Sequence, residues 1–138
     1  MDSNKQMEVS RQLSHLLVLS ADLSKSVFAD IASSLNVPVH LARAVLLLEE
    51  PAPMNELSVK LACDKSYITQ LADQLEERDL IERVPGADRR TKLLSLTSTG
   101  KSLRAKLAKA AGSQSPIMKS LNDEERTQLA SLLSKVLA

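Results

Sequence analysis

The chain has 138 residues, a formal net charge of +1 and a single cysteine, which is the length of one domain with one core and excludes an internal disulfide. No apolar run approaches the roughly 18 residues that a membrane-spanning helix needs, and the polar N-terminus lacks a signal-peptide core, so we expect a cytoplasmic protein. Since the only aromatic residues are Phe28 and Tyr67, the core must be aliphatic, and three glycines in a Leu/Ala/Ser/Lys-rich chain favour helices.

The N-terminal pattern predicts an amphipathic helical segment over residues 7–35, longer than an ordinary helix. Apolar residues recur in it every three or four positions. They are Val9, Leu13, Leu16, Leu17, Leu23, Val27, Phe28, Ile31 and Leu35. A small domain cannot cover so long an apolar face, so the pattern favours pairing with a second copy of the chain.

Two shorter helices are predicted next. Pro38 suits the first turn of a helix that ends before Pro51 and Pro53. Residues 54–61 then predict a second helix. Because Pro53 occupies the position where Ser or Thr is expected, Asn55 is the candidate cap of that helix.

Residues 64–78 predict a helix with one apolar and one polar face, and Asp64 suits its N-cap and the positive end of its dipole. The apolar face comprises Ile68, Leu71, Ala72 and Leu75. The outward residues are Lys65, Ser66, Tyr67, Thr69, Gln70 and Asp73. Taken alone, such a face favours an ordinary solvated helix surface.

A β-hairpin is predicted after that helix. Its strands are Ile81–Pro85 and Leu93–Leu96, and the connection carries Arg89 and Arg90. Between Arg83 and Lys109 eight basic residues stand against one acidic residue, so the basic charge is local. A polar helix followed by a ribbon with arginines at its tip has a shape that can straddle a DNA groove.

The C-terminal third predicts two helices. Thr97 is the expected cap of a basic helix to Ala111, which residues 112–116 break. Asn122 and Glu125 have the spacing of a capping box for the last helix. The apolar face of that helix comprises Leu129, Leu132, Leu133, Val136 and Leu137.

A specific signature runs through the hairpin: Asp88-Arg89-Arg90, then Leu93, Leu96-Thr97 and Gly100, preceded by a helix-turn-helix pattern over residues 56–83. These residues resemble the DRR…L..LT..G signature of the multiple antibiotic resistance regulator (MarR) family of winged helix-turn-helix transcription factors. The chain departs from that pattern in four places. Asp79 and Ala62-Cys63 replace a usual Gly and Gly-Val, Lys65 replaces a common Arg, and the wing is about one residue short.

The resemblance implies a mainly α fold with a small β-wing, in one domain over residues 1–138. Segments 7–35 and 117–138 would be dimerisation helices, and residues 36–112 the winged helix-turn-helix core with its following helix. The implied function is a homodimeric, sequence-specific repressor of a pseudo-palindromic DNA operator. The resemblance also implies release of the DNA by a small anionic or phenolic ligand, whose pocket here would have to be aliphatic; a regulator that binds no ligand is the alternative.

We predict a DNA-contacting set and give most of its members a role. Gln70 suits recognition of adenine in the major groove. Ser66 and Thr69 suit hydrogen bonds to bases or phosphates, and Tyr67 suits contact with a thymine methyl group or a phosphate. The full set is Lys65, Ser66, Tyr67, Thr69, Gln70, Arg89, Arg90 and Lys92.

The wing residues divide between contact and structure. Lys65, on the helix, suits a phosphate. The resemblance assigns the minor groove to Arg90, where the negative potential of a narrow A·T-rich groove attracts a guanidinium. Arg89 stays open between DNA contact and pairing with Asp88, to which we assign a structural role in the wing.

Other functions are less favoured. A winged-helix module that binds a protein partner is the alternative, and salt-dependent retention on duplex DNA separates the two. We expect no enzyme, metal site or cofactor, since the chain has no recognisable nucleophile, metal cluster or phosphate loop. Cys63 favours a buried thiol over a redox sensor, and His15 and His40 favour structural or exposed positions over ligand binding.

Overall fold

The computed structural model describes residues 2–88 and 90–138, so the prediction for Arg89 lies outside the described residues. The elements in chain order are α1 (Ser3–Ser34), α2 (Val39–Leu47), β1 (Ala52–Pro53), α3 (Met54–Leu61), α4 (Lys65–Glu77), β2 (Ile81–Pro85), β3 (Lys92–Leu96), α5 (Ser98–Gln114), α6 (Pro116–Ser120) and α7 (Asp123–Leu137). This is the mainly helical architecture with a small β-sheet that the sequence predicts.

The chain divides into two compact units. One comprises Ile31–Ala111, and the other comprises the chain up to Asp30 together with Gly112–Ala138. The predicted division of one domain into terminal dimerisation helices and a winged helix-turn-helix core stays a prediction.

The aliphatic core belongs to the unit Ile31–Ala111. All buried hydrophobic residues of the described chain lie between Ile31 and Leu107. The largest wholly enclosed side chains are Leu41, Val45, Leu48, Leu57, Leu71, Leu75, Leu94 and Leu107. They come from α2 with its C-cap Leu48, and from α3, α4, β3 and α5. The sheet and the helix-turn-helix therefore share one core.

The sheet has three antiparallel strands in the order β1-β3-β2. Ile81 pairs with Leu96 and Pro85 with Lys92, while Ala52 pairs with Leu94 on the other edge of β3. The sequence does not predict β1, because a two-residue strand carries no alternation, and β3 begins one residue earlier than predicted. Proline in β1 is tolerated because β1 is an edge strand.

Three helices end in residues with left-handed backbone, and none of them is glycine: Asn36 (φ 58°), Ala62 (φ 52°) and Asp79 (φ 59°). After α4, Leu80 N donates to Leu75 O (2.9 Å) and Asp79 N donates to Glu76 O (3.0 Å). This is the hydrogen-bond pattern that favours glycine at the left-handed position. Ala62 and Asp79, which stand where the family usually has glycine, therefore preserve these helix ends, but their left-handed backbone costs free energy that glycine would avoid.

Some predicted helix boundaries are confirmed and others are wrong. Thr97 caps α5, because its Oγ1 accepts a hydrogen bond from Gly100 N at 3.0 Å. The predicted cap Asn55 is wrong, since Pro53 occupies the N-cap of α3 and no side chain bonds there. Pro38 is likewise the N-cap of α2 and not its first residue.

The predicted break at residues 112–116 is also wrong in part, because α5 continues through Gly112 to Gln114. One glycine costs a helix only about 1 kcal/mol. Pro116 is what ends it, since proline disfavours helical backbone at the preceding Ser115.

The C-terminal segment contains two helices, because Leu121 has extended backbone between α6 and α7. The capping box of α7 is confirmed: Glu125 N donates to Asn122 Oδ1 (2.9 Å) and Asn122 N donates to Glu125 Oε1 (3.0 Å). Arg126 ties the corner together by donating to Met118 O at 2.8 Å.

Candidate nucleic-acid interface

Helix α4 presents its faces as the sequence predicts. Asp64 Oδ1 accepts a hydrogen bond from Tyr67 N at 2.8 Å and so caps the helix. The four buried residues of the helix are Ile68, Leu71, Ala72 and Leu75. The six predicted outward residues, Lys65, Ser66, Tyr67, Thr69, Gln70 and Asp73, are all exposed.

The outer row of α4 changes character along its length. At about 3.6 residues per turn, Ser66, Gln70, Asp73 and Glu77 lie nearest its centre. The first two are neutral hydrogen-bonding side chains and the last two are carboxylates. Since phosphates repel carboxylates, the N-terminal half of α4 is the part suited to a nucleic-acid groove.

The wing tip is closed by its own backbone and by Asp88. Gly86 N donates to Thr91 O (2.8 Å), and Thr91 N donates to Asp88 O (3.0 Å). Asp88 Oδ1 also accepts a hydrogen bond from Arg90 N at 3.2 Å. This geometry holds the backbone of Arg90 while its side chain is exposed.

A cleft of about 520 Å³ lies between the start of α3, one edge of α4 and the wing. Its lining includes four cationic side chains, Lys65, Arg83, Arg90 and Lys92, and among the described residues no carboxylate. Thr69 lines the same cleft, and its hydroxyl donates to Lys65 O at 2.9 Å. The structure thus brings residues from α4 and from the wing together at one basic surface.

The four cations differ in their partners. Arg83 is paired: its NH2 lies 2.7 Å from Asp73 Oδ1 and its Nε 3.4 Å from Glu76 Oε2. Within residues 2–88 and 90–138, the side chains of the other three make no ion pair. These three are Lys65, Arg90 and Lys92.

The opposite edge of α4 faces α2. His40 Nε2 donates to Gln74 Oε1 at 2.7 Å. A second cleft there is lined by His40, Arg43, Cys63 and Tyr67, among others. The sequence does not indicate that Arg43 lies beside α4, because only the fold brings α2 next to that helix. Cys63 is half-buried.

Two residues of the signature serve the fold beneath the wing. Thr97 Oγ1 donates to Asp79 O at 2.6 Å while also capping α5. Gly100 is buried, and a Cβ there would lie 2.1 Å from Leu80 O. Only glycine permits this approach of α5 to the chain between α4 and β2.

No group of His, Cys, Asp or Glu side chains in the described ranges could hold a metal ion. The helices of the described chain also include none that is long and apolar enough to cross a membrane.

The fold and this surface define a winged helix-turn-helix protein. The model of the MarR family matches residues 46–92, the segment that contains α3, α4 and the wing. HTH-type transcriptional regulator PapX of Escherichia coli is 39% identical over 72 residues, which is 50% of this chain and 44% of PapX. The chain therefore matches about half the length of that relative.

Solved structures show the same fold over almost the whole chain. A mutant of MarR from Escherichia coli complexed with operator DNA has a TM-score of 0.76 at 22% identity and covers 100% of both chains. CouR from Rhodococcus jostii, bound to p-coumaroyl-CoA, has a TM-score of 0.76 at 25% identity and covers 92% of both chains. Together these matches confirm the MarR-family resemblance of this chain and its winged helix-turn-helix fold.

Proposed function

We propose that this protein is a sequence-specific DNA-binding transcriptional regulator that acts as a homodimer. The observation that carries the proposal is the basic surface around the N-terminal half of α4. Lys65, Arg90 and Lys92 line it without a counter-charge among the described residues. Unpaired cations beside an exposed polar helix suit a groove bordered by phosphates.

In the proposed complex the N-terminal half of α4 enters the major groove. Gln70 reads a base edge, with Ser66, Thr69 and Tyr67 beside it, and Lys65 and Lys92 contact phosphates. Arg90 reaches the neighbouring minor groove from the wing tip. Arg89 shares the wing tip in the proposal, and Asp88 holds the wing turn.

The terminal unit supports the homodimer. Within residues 2–30 and 112–138 no hydrophobic side chain is fully buried, while Leu13 is 61% and Leu132 is 62% exposed. An apolar groove of about 570 Å³ is lined by residues of this unit that include Leu13, Leu17, Leu129 and Leu133. A unit whose described apolar side chains all remain partly exposed is suited to a partner surface, and a second copy supplies the same aliphatic helices by two-fold symmetry.

The two-fold symmetry of the proposed homodimer sets the arrangement of half-sites in the DNA. Two copies of α4 would bind half-sites about one helical turn apart, so the proposed operator is pseudo-palindromic. Binding there would exclude polymerase, which makes the protein a repressor in this proposal, and it would act in the cytoplasm with the chromosome. A small ligand would release the DNA; the neighbour CouR was solved bound to p-coumaroyl-CoA.

Selection of bound fragments from random duplexes by the purified protein tests DNA binding and half-site spacing together. On the selected duplex, Arg90→Ala should weaken binding and lower the salt slope by about 0.9 for each phosphate that is no longer neutralised, whereas Lys109→Ala on α5, away from the cleft, should not. Gln70→Ala should relax preference at one base pair by about 1–3 kcal/mol. Gln74→Ala, on the edge bonded to His40, is its matched control.

The homodimer is tested by sedimentation. Leu17→Glu places a carboxylate in the apolar groove and should shift the protein to monomers. Val18→Glu changes the next residue, which is 56% exposed but does not line the groove, and should not. A wild-type protein that sediments as a monomer at assay concentration, or that selects no duplex, contradicts the proposal.

A further inference from the structure

Arg83 is the one cleft cation whose charge is cancelled inside the described chain. It projects from β2, and its guanidinium contacts two carboxylates one helical turn apart on α4, Asp73 at 2.7 Å and Glu76 at 3.4 Å. Its side chain is 32% exposed and lines the same cleft as Lys65 and Arg90. It is therefore within the basic surface but is held by the protein.

We propose that Asp73 and Glu76 keep Arg83 from contacting DNA and so hold the affinity for DNA below what the cleft would otherwise give. This inference rests on the proposed function. A guanidinium recognises a phosphate through the same paired N–H donors that it uses for a carboxylate. While those donors are engaged with α4, Arg83 makes no direct contact with a phosphate, and the two carboxylates offset its positive charge.

The pairing is of a kind that a substitution can release. Asp73 is 66% and Glu76 is 49% exposed, and ion pairs between exposed groups contribute little to stability. Removing the two carboxylates should therefore leave the fold intact and free one guanidinium beside Lys65 and Arg90. The expected effect is a gain of DNA binding without a gain of sequence preference, because phosphate contacts carry no sequence information.

The experiment measures binding to a scrambled duplex of about 30 base pairs, long enough for two half-sites one helical turn apart. The Asp73→Asn, Glu76→Gln double variant should steepen the dependence of log K on log salt by about 0.9 per subunit. If the added contact contributes nothing at 1 M salt, it raises the association constant about fivefold at 0.15 M salt. Glu77→Gln is the matched control. It removes one carboxylate from the same helix, and that carboxylate makes no ion pair within the described residues.

A second comparison separates a freed arginine from the loss of negative charge alone. The same two substitutions are made in an Arg83→Met background, where no guanidinium can be freed. The proposal expects the increase in slope to be smaller in this background by about 0.9 per subunit, the contribution of one arginine–phosphate contact, since both backgrounds lose the same two negative charges. An equal gain in both backgrounds, or a gain in the wild-type background no larger than twice the Glu77→Gln effect, overturns the inference.

The outcome is separable from that of the proposed function. If the wild-type protein shows no salt-dependent retention on any duplex, the proposed function fails and this inference fails with it. If the wild type binds but the double variant follows its control, only the role of Arg83 is refuted. Thermal melts establish that each variant is folded. If the double variant melts below the assay temperature, Asp73→Ala alone, which removes the partner of the 2.7 Å contact, is compared in the same two backgrounds.

Discussion

Replacing Ala62 by glycine should make this protein more stable. Ala62 ends α3 with φ 52° and ψ 47°. Two hydrogen bonds hold it there, from its own N to Val59 O (3.1 Å) and from Cys63 N to Ser58 O (3.0 Å). The alanine cannot relax to a right-handed conformation without breaking the second bond, because the position of Cys63 N depends on the φ and ψ of Ala62.

The magnitude follows from two opposing free energies. A left-handed residue with a Cβ costs about 1–2 kcal/mol, which glycine avoids. Glycine in turn gives the unfolded chain more freedom, which offsets about 0.4–1 kcal/mol. The net expected gain is about 0.5–1 kcal/mol, a rise in melting temperature of roughly 2–3 °C for a chain of this size.

Circular dichroism melts at one fixed protein concentration measure this, because association makes the melting temperature depend on concentration. The matched control is Ala105→Gly, the same chemical change at an exposed position inside α5. There the backbone is helical, so glycine should cost about 1 kcal/mol. If both variants lose stability to the same extent, the argument from the left-handed backbone at Ala62 is refuted.

Three further substitutions test individual contacts. Asp79→Gly should stabilise for the same reason but by less, because aspartate tolerates left-handed backbone better than alanine does; urea unfolding measures it, and a loss of stability contradicts it. Gly100→Ala should lower the unfolding free energy by about 1–3 kcal/mol, because its Cβ would meet Leu80 O at 2.1 Å; an unchanged urea midpoint would show that α5 can move freely. Asp64→Ala should cost about 1 kcal/mol through loss of the bond from Tyr67 N, and Asp64→Asn, which keeps an accepting oxygen, should restore most of it.

Local patterns predicted most of the helical architecture. The alternation of apolar and polar residues in α4, the capping residue Asp64 and the capping box at Asn122 act within one or two turns of chain, so the sequence displays them directly. The prediction at Asn55 and the early end of α5 were wrong for a related reason. Proline acts on its own and the preceding residue, and its effect outweighed the capping and glycine signals beside it.

Most of the charge balance of the basic surface was not predictable. Arg83 counts as a basic residue in the sequence, and nothing adjacent to it in the chain indicates that Asp73 and Glu76 neutralise it. The short strand β1 was missed in the same way, because Ala52 joins the sheet only through its partner Leu94.

The start of α4, the residues of α4 that face outward and the residues of the ribbon beside it all follow from the amino-acid pattern alone. Those properties depend on the periodicity of the backbone and on contacts a few residues apart. Only the tertiary structure decided which cations of that surface are unpaired, that α2 borders the far edge of α4, and why Gly100 must be glycine. These depend on groups distant in the chain that packing brings within a few ångströms, and short-range patterns carry no record of such distances.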